Sequence, residues 1–143
     1  MKERTSAISA GVSGETGFRK SSLMQWPCKI SLVPTRAPYF NGADLLIAAD
    51  CAAYACRSLH EELMRDRITL IGCALSDPSG LHERLTAIIR ENDVRSITVA
   101  RLEVGCCGGI ELAVRRALIA SGKELPLFTV TISTNGRITD NTI

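Results

Sequence analysis

The chain has 143 residues, is 45% hydrophobic and 22% charged, and carries a net charge of +2. That is enough for one domain with a real core, and so small and interspersed a charge gives no argument for nucleic-acid or membrane partners. No apolar run reaches the roughly 18 residues of a spanning helix and the N-terminal stretch lacks the apolar core of a secretory signal, so a cytoplasmic address is expected.

Residues Met1–Gln25 are rich in Ser, Gly and Lys/Arg without apolar periodicity. They are expected to form a flexible arm that adds nothing to the fold, leaving residues 26–143 as a single α/β domain. Cys28–Val33 alternates like a first strand ended by Pro34, of undetermined direction. Pro38, Asn41 and Gly42 then mark a loop with room for one helical turn. Asp44–Asp50 is a continuous apolar run, as in a strand covered on both faces. Ala52, Ala55, Cys56, Leu59 and Leu63 follow at helical spacing.

Ile68–Gly72 reads as the next strand, and Asp77-Pro78 as the start of a helix whose inner face is Leu81, Leu85, Ile88 and Ile89. Ser96–Val104 is a further strand. Ile110, Ala113, Val114, Ala117 and Leu118 form another helical face closed by Gly122. Leu127–Ile132 is a fifth strand, and Asn135-Gly136 a tight turn before a short tail. Strands alternating with helices predict a three-layer α/β sandwich on a mostly parallel, roughly five-stranded sheet of Rossmann or flavodoxin type.

Six cysteines without a secretion signal point to metal or redox chemistry rather than disulfides. Four of them stand where strands end, the edge at which open parallel sheets bind ligands. Cys106-Cys107 lie in a Gly105…Gly108-Gly109 turn at a helix start, where the tight turn lets backbone approach a bound group and free N–H groups favour thiolate. Gly105, Gly108 and Gly109 are therefore expected beside the cofactor. Cys73 follows Gly72, one sheet position from the pair. Cys51 follows Asp50, whose carboxylate is placed to cap the next helix. Cys56 falls on an apolar helix face and reads as core. Cys28 reads as structural, at the opposite edge of the sheet. Glu103 and Arg101 share a strand face and are expected to pair. His60 and His82 lack metal-ligand spacing and read as solvated helix residues.

Trp26-Pro27, Leu32-Val33-Pro34, Ala37-Pro38, Gly42 through Cys51, Ile71-Gly72-Cys73 and Glu103 through Gly109 together resemble the α/β domain of iron–sulfur (4Fe-4S ferredoxin-type) proteins of anaerobic bacteria. The family's C-x-x-C-x-x-C module is absent, and Ala74 and Gly105 stand where the family commonly has proline. Cys73 and Cys106-Cys107-Gly108 are also similar to the C-C-G half-motif of heterodisulfide-reductase-like proteins, whose later C-x-x-C half is missing here. The resemblance implies an iron–sulfur cluster, with Cys51 completing a set of Cys51, Cys73, Cys106 and Cys107. Electron transfer or redox sensing with a redox partner, such as a ferredoxin, is the expected role. A structural or regulatory zinc-thiolate site, and a thiol enzyme using Cys106 or Cys107, are the alternatives; no nucleic-acid or membrane partner is expected.

Overall fold

A computed structural model describes residues 17–76 and 80–141, so residues 1–16 of the expected arm and the Asp77-Pro78 helix start lie outside the described residues. Five strands, β1 (Asp44–Ala49), β2 (Ile68–Gly72), β3 (Ser96–Leu102), β4 (Leu127–Ile132) and β5 (Ile138–Asn141), form one sheet in the order β2-β1-β3-β4-β5. The first four are parallel and β5 is antiparallel to β4. Three helices, α1 (Asp50–Ala55), α2 (Leu81–Glu91) and α3 (Gly108–Ser121), connect them.

The continuous apolar run of β1 follows from its central position. Leu45, Leu46, Ile47 and Ala48 have no solvent exposure, because alternate residues meet different layers. Leu45, Ile47, Leu70, Ile97 and Val99 face α2 and α3. Leu46, Ala48, Ala100, Val130 and Ile132 face α1 and the segment after it. The three-layer α/β architecture expected from the sequence is therefore present.

The helix expected from Ala52 to Leu63 is interrupted. Cys56 leaves helical geometry at φ −99°, ψ 102°, and the chain resumes in a π-helical turn at His60–Met64. The inward residues stay buried through the break, Cys56 at 1% exposure, so its assignment to the core holds.

Cys28–Val33 is not a strand. Lys29 makes one isolated parallel bridge to Ile71, and the chain then turns, with Leu32 and Val33 donating back to the Lys29 carbonyl at 2.9 and 3.0 Å. Ile30 and Val33 are buried while Leu32 is exposed, an inward spacing of three rather than two. The Arg84 guanidinium donates to the carbonyls of Ile30 and Val33, replacing a neighbouring strand. The bridge also moves Cys28: its carbonyl accepts from Ile71 N–H, beside the carboxyl-terminal half of β2 and not at the opposite edge. The fifth strand in sequence is β5, in the segment expected to be a tail.

Part of the expected arm is docked. Gln25 is buried and its side-chain amide donates to the Thr69 carbonyl at 2.7 Å. Ser22 N–H donates to His60 Nδ1 at 3.0 Å, and Leu23 packs on the core. With the Cys28–Ile30 bonds to Ile71, this segment covers the outer edge of β2, which would otherwise present unpaired backbone groups. Deleting residues 1–25 is therefore expected to lower the melting temperature, and Gln25→Ala to cost about 1 kcal/mol in urea unfolding. An unchanged melt for the truncated chain would show that the docked segment contributes nothing.

Candidate metal centre

Three neighbouring strands deliver the four strand-end thiols. β1 runs directly into α1, which puts Cys51 in that helix's first turn, exposed to solvent. Asp50 opens the helix rather than capping it, and makes no side-chain capping bond. Cys73 follows β2 and is half-buried. β3 ends at Leu102, and a 3-10 turn at Gly105–Cys107 leads into α3, with Cys106 exposed and Cys107 half-buried. Because β1 lies between β2 and β3, Cys73 and the adjacent pair are two sheet positions apart, and Cys51 is central. The chain crosses to opposite sides of β1 to make β2 and β3, so this is the sheet's switch point.

Cys51, Cys73, Cys106 and Cys107 line one cavity of about 50 Å³, walled by Ala49, Asp50, Ala74, Leu75 and Ile110. Among the described residues, no three Cys, His, Asp or Glu side chains stand close enough to hold a single metal ion. One tetrahedral zinc needs every sulfur about 2.3 Å from a common point. The thiols share a cavity without converging on such a point.

The thiols differ in acidity. Ser76, through its backbone N–H and its hydroxyl, and Leu75, through its N–H, hold the Cys73 thiol below the ordinary thiol range. Desolvation pushes Cys51 up, as do the bond to Asp50, that residue's charge, and the charges of Cys107 and Cys73. Burial pushes Cys107 up; the Leu102 backbone pulls it down, while Cys106 and Cys73 push it up. A cation held among these groups relieves that mutual repulsion.

Only thiolate attacks an alkylating reagent. Metal-free protein at neutral pH is therefore expected to react with iodoacetamide at Cys73 before Cys51, with Cys51 labelling rising with pH, as read by peptide mass spectrometry. Faster labelling of Cys51 would contradict the Ser76 cradle. Because the Cys73 pKa is depressed on folding, its stabilising contribution is complete above the unfolded thiol pKa and is lost as pH falls through the folded one.

The three glycines play unequal parts. A Cβ on Gly109 would stand 2.8 Å from Ala74 Cβ, so α3 and the Cys73 loop touch only because position 109 has no side chain. A Cβ on Gly108 would rest on the Arg101 guanidinium at 3.5 Å, and one on Gly105 would meet nothing. Arg101 does not pair with Glu103. It bonds Glu111 at 3.3 Å and the carbonyls of Leu102 and Val104, bracing the turn that carries the cysteine pair. Arg115 bonds Glu111 at 2.9 Å; burial pushes the Glu111 carboxyl up, but the two arginines bring it below the usual range. Glu103 instead accepts from Thr134 N–H. Sequence reading missed both the brace and the Ser76 cradle, whose only trace is a serine three residues after Cys73. His60 and His82 do not line the cavity.

Comparison with known proteins places residues 37–143 in a match to the family model described as a Rossmann-like domain. The chain is also similar to an uncharacterized protein of Archaeoglobus fulgidus, with 39% identity over 101 residues that cover 70% of this chain and 71% of that protein. No solved structure matches.

Proposed function

We propose that this chain, which belongs to the Rossmann-like domain family, holds an iron–sulfur cluster on Cys51, Cys73, Cys106 and Cys107 and works in electron transfer or redox sensing. What carries the reading is the lining of one cavity by four thiols from three adjacent strand ends. The donor set fits such a group: it is all thiol, and it is spread out rather than focused on one point. A cluster's separate irons suit that spread better than a single zinc ion does. Bound there, the cluster would supply one-electron chemistry. The chain's own residues would fix the thiolates, with the Ser76 and Leu75 N–H groups and Arg101 setting the surrounding field.

The resemblance to ferredoxin-type iron–sulfur proteins supports a cytoplasmic redox partner such as a ferredoxin. Leu75, 68% exposed beside the thiols, gives that partner an apolar contact next to the cavity. Gly105, Gly108 and Gly109, expected beside the cofactor, do not line the cavity; Gly109 acts instead by letting α3 pack against the Cys73 loop.

Protein purified without oxygen is expected to be brown, to bleach in air, and to lose its broad visible absorption on dithionite reduction. Colourless protein with about one zinc per chain, not reconstituted by iron and sulfide, would favour the zinc-thiolate alternative. Protein that binds neither would leave the thiol-enzyme reading, in which Cys106 or Cys107 is the nucleophile and Cys73, its thiolate favoured by Ser76 and Leu75, is a further candidate.

A further inference from the structure

On the α1 face, away from the cysteine cavity, two adjoining clefts share Arg19, Arg57 and Glu61. The larger, about 610 Å³, is completed by Ser58 and Gly136. The smaller, about 250 Å³, adds Lys20, Ser21 and His60. We propose that this joint groove binds a phosphate-bearing small molecule, an assignment independent of any metal on the thiols.

The charges converge from two separate parts of the chain. Arg19 and Lys20 come from the docked N-terminal segment, and Arg57 and His60 from the connection between α1 and β2. The one acid, Glu61, is held by Arg19 at 3.0 Å. Arg57 and Lys20 have no carboxylate partner among the described residues. Taking histidine as neutral, three cations face one anion. His60 accepts from Ser22 N–H at Nδ1, so its neutral ring carries the proton on Nε2 and offers a donor. Serine hydroxyls at Ser21 and Ser58 add further donors.

Such a set exceeds what one carboxylate can use and matches the several oxygens of a phosphate, which arginine forks bind in pairs. The larger cleft falls within the roughly 300–1,000 Å³ of small-molecule sites, more than inorganic phosphate needs. No Phe, Tyr or Trp lines either cleft, and His60 is the one ring among the lining residues, so the phosphates, rather than a stacked base, would carry the affinity. The groove also gives the docked segment a role beyond covering the β2 edge.

The test titrates the intact protein with pyrophosphate, ADP and adenosine at constant ionic strength, following heat and melting temperature. Pyrophosphate and ADP are expected to bind and raise the melting temperature, and adenosine to do neither. Arg57→Gln, at an exposed position, should keep the fold and weaken both ligands about tenfold or more. Lys20→Gln should weaken them less. Absence of heat and of any melting shift with either phosphate at millimolar concentration would overturn the proposal, as would equal affinity in Arg57→Gln. A single-stranded oligonucleotide that binds more tightly than ADP, with affinity growing with length, would overturn it in favour of a nucleic-acid surface.

Discussion

Single serine substitutions are expected to divide the six cysteines into two groups. Cys51→Ser, Cys73→Ser, Cys106→Ser and Cys107→Ser should each lose most of the iron bound per chain in anaerobic preparations, since each removes one of the four thiols lining the cavity. Cys28→Ser and Cys56→Ser should retain it. Cys56→Ser should cost about 1 kcal/mol of stability by burying a hydroxyl, softened by the Ser58 hydroxyl 3.8 Å from the sulfur. Cys28 is the sharper control, because its segment lies against the end of β2 and not across the sheet. Full iron in Cys73→Ser, with loss in Cys28→Ser, would overturn the ligand set.

A second large effect is expected at Gly136, which does not line the cysteine cavity. Its φ of +98° is one that side-chain-bearing residues rarely adopt, and an added Cβ would stand 2.3 Å from the Ala55 carbonyl oxygen. Gly136→Ala therefore combines backbone strain with a clash against backbone that cannot rotate away. A loss of about 3 kcal/mol or more is expected, read by urea unfolding with unchanged slope. A loss below about 1 kcal/mol would mean that the hairpin lifts away freely.

The parallel strands were legible in the sequence because burial on both faces leaves an uninterrupted apolar run, as in Leu45–Ala49. β5 was not. Its residues Ile138–Asn141 include one apolar side chain, too few to set up an alternating pattern. Cys28–Val33 misled in the opposite way: its alternation looked like a strand, but Ile30 and Val33 point inward three apart, and a side chain from α2, Arg84, takes their carbonyls. The meeting of the four cysteines could be foreseen because strand ends in a parallel sheet share one edge. Their order across that edge could not, since it depends on which side of β1 each crossover lands. The long-range groups around them, Arg101 against Glu111 above all, belong to no local pattern.

The contact between Gly136 and Ala55 has a consequence for synthesis. Cys51 is carried on α1, whose end is braced by a hairpin translated after every cysteine in the chain. On the ribosome, all four cavity thiols emerge while that brace is still missing, and domains fold as units once their parts are available. A nascent chain halted before Gly136 would display Cys51 on an unbraced helix, open to oxidation. Shielding of Cys51 is thereby tied to completion of that hairpin.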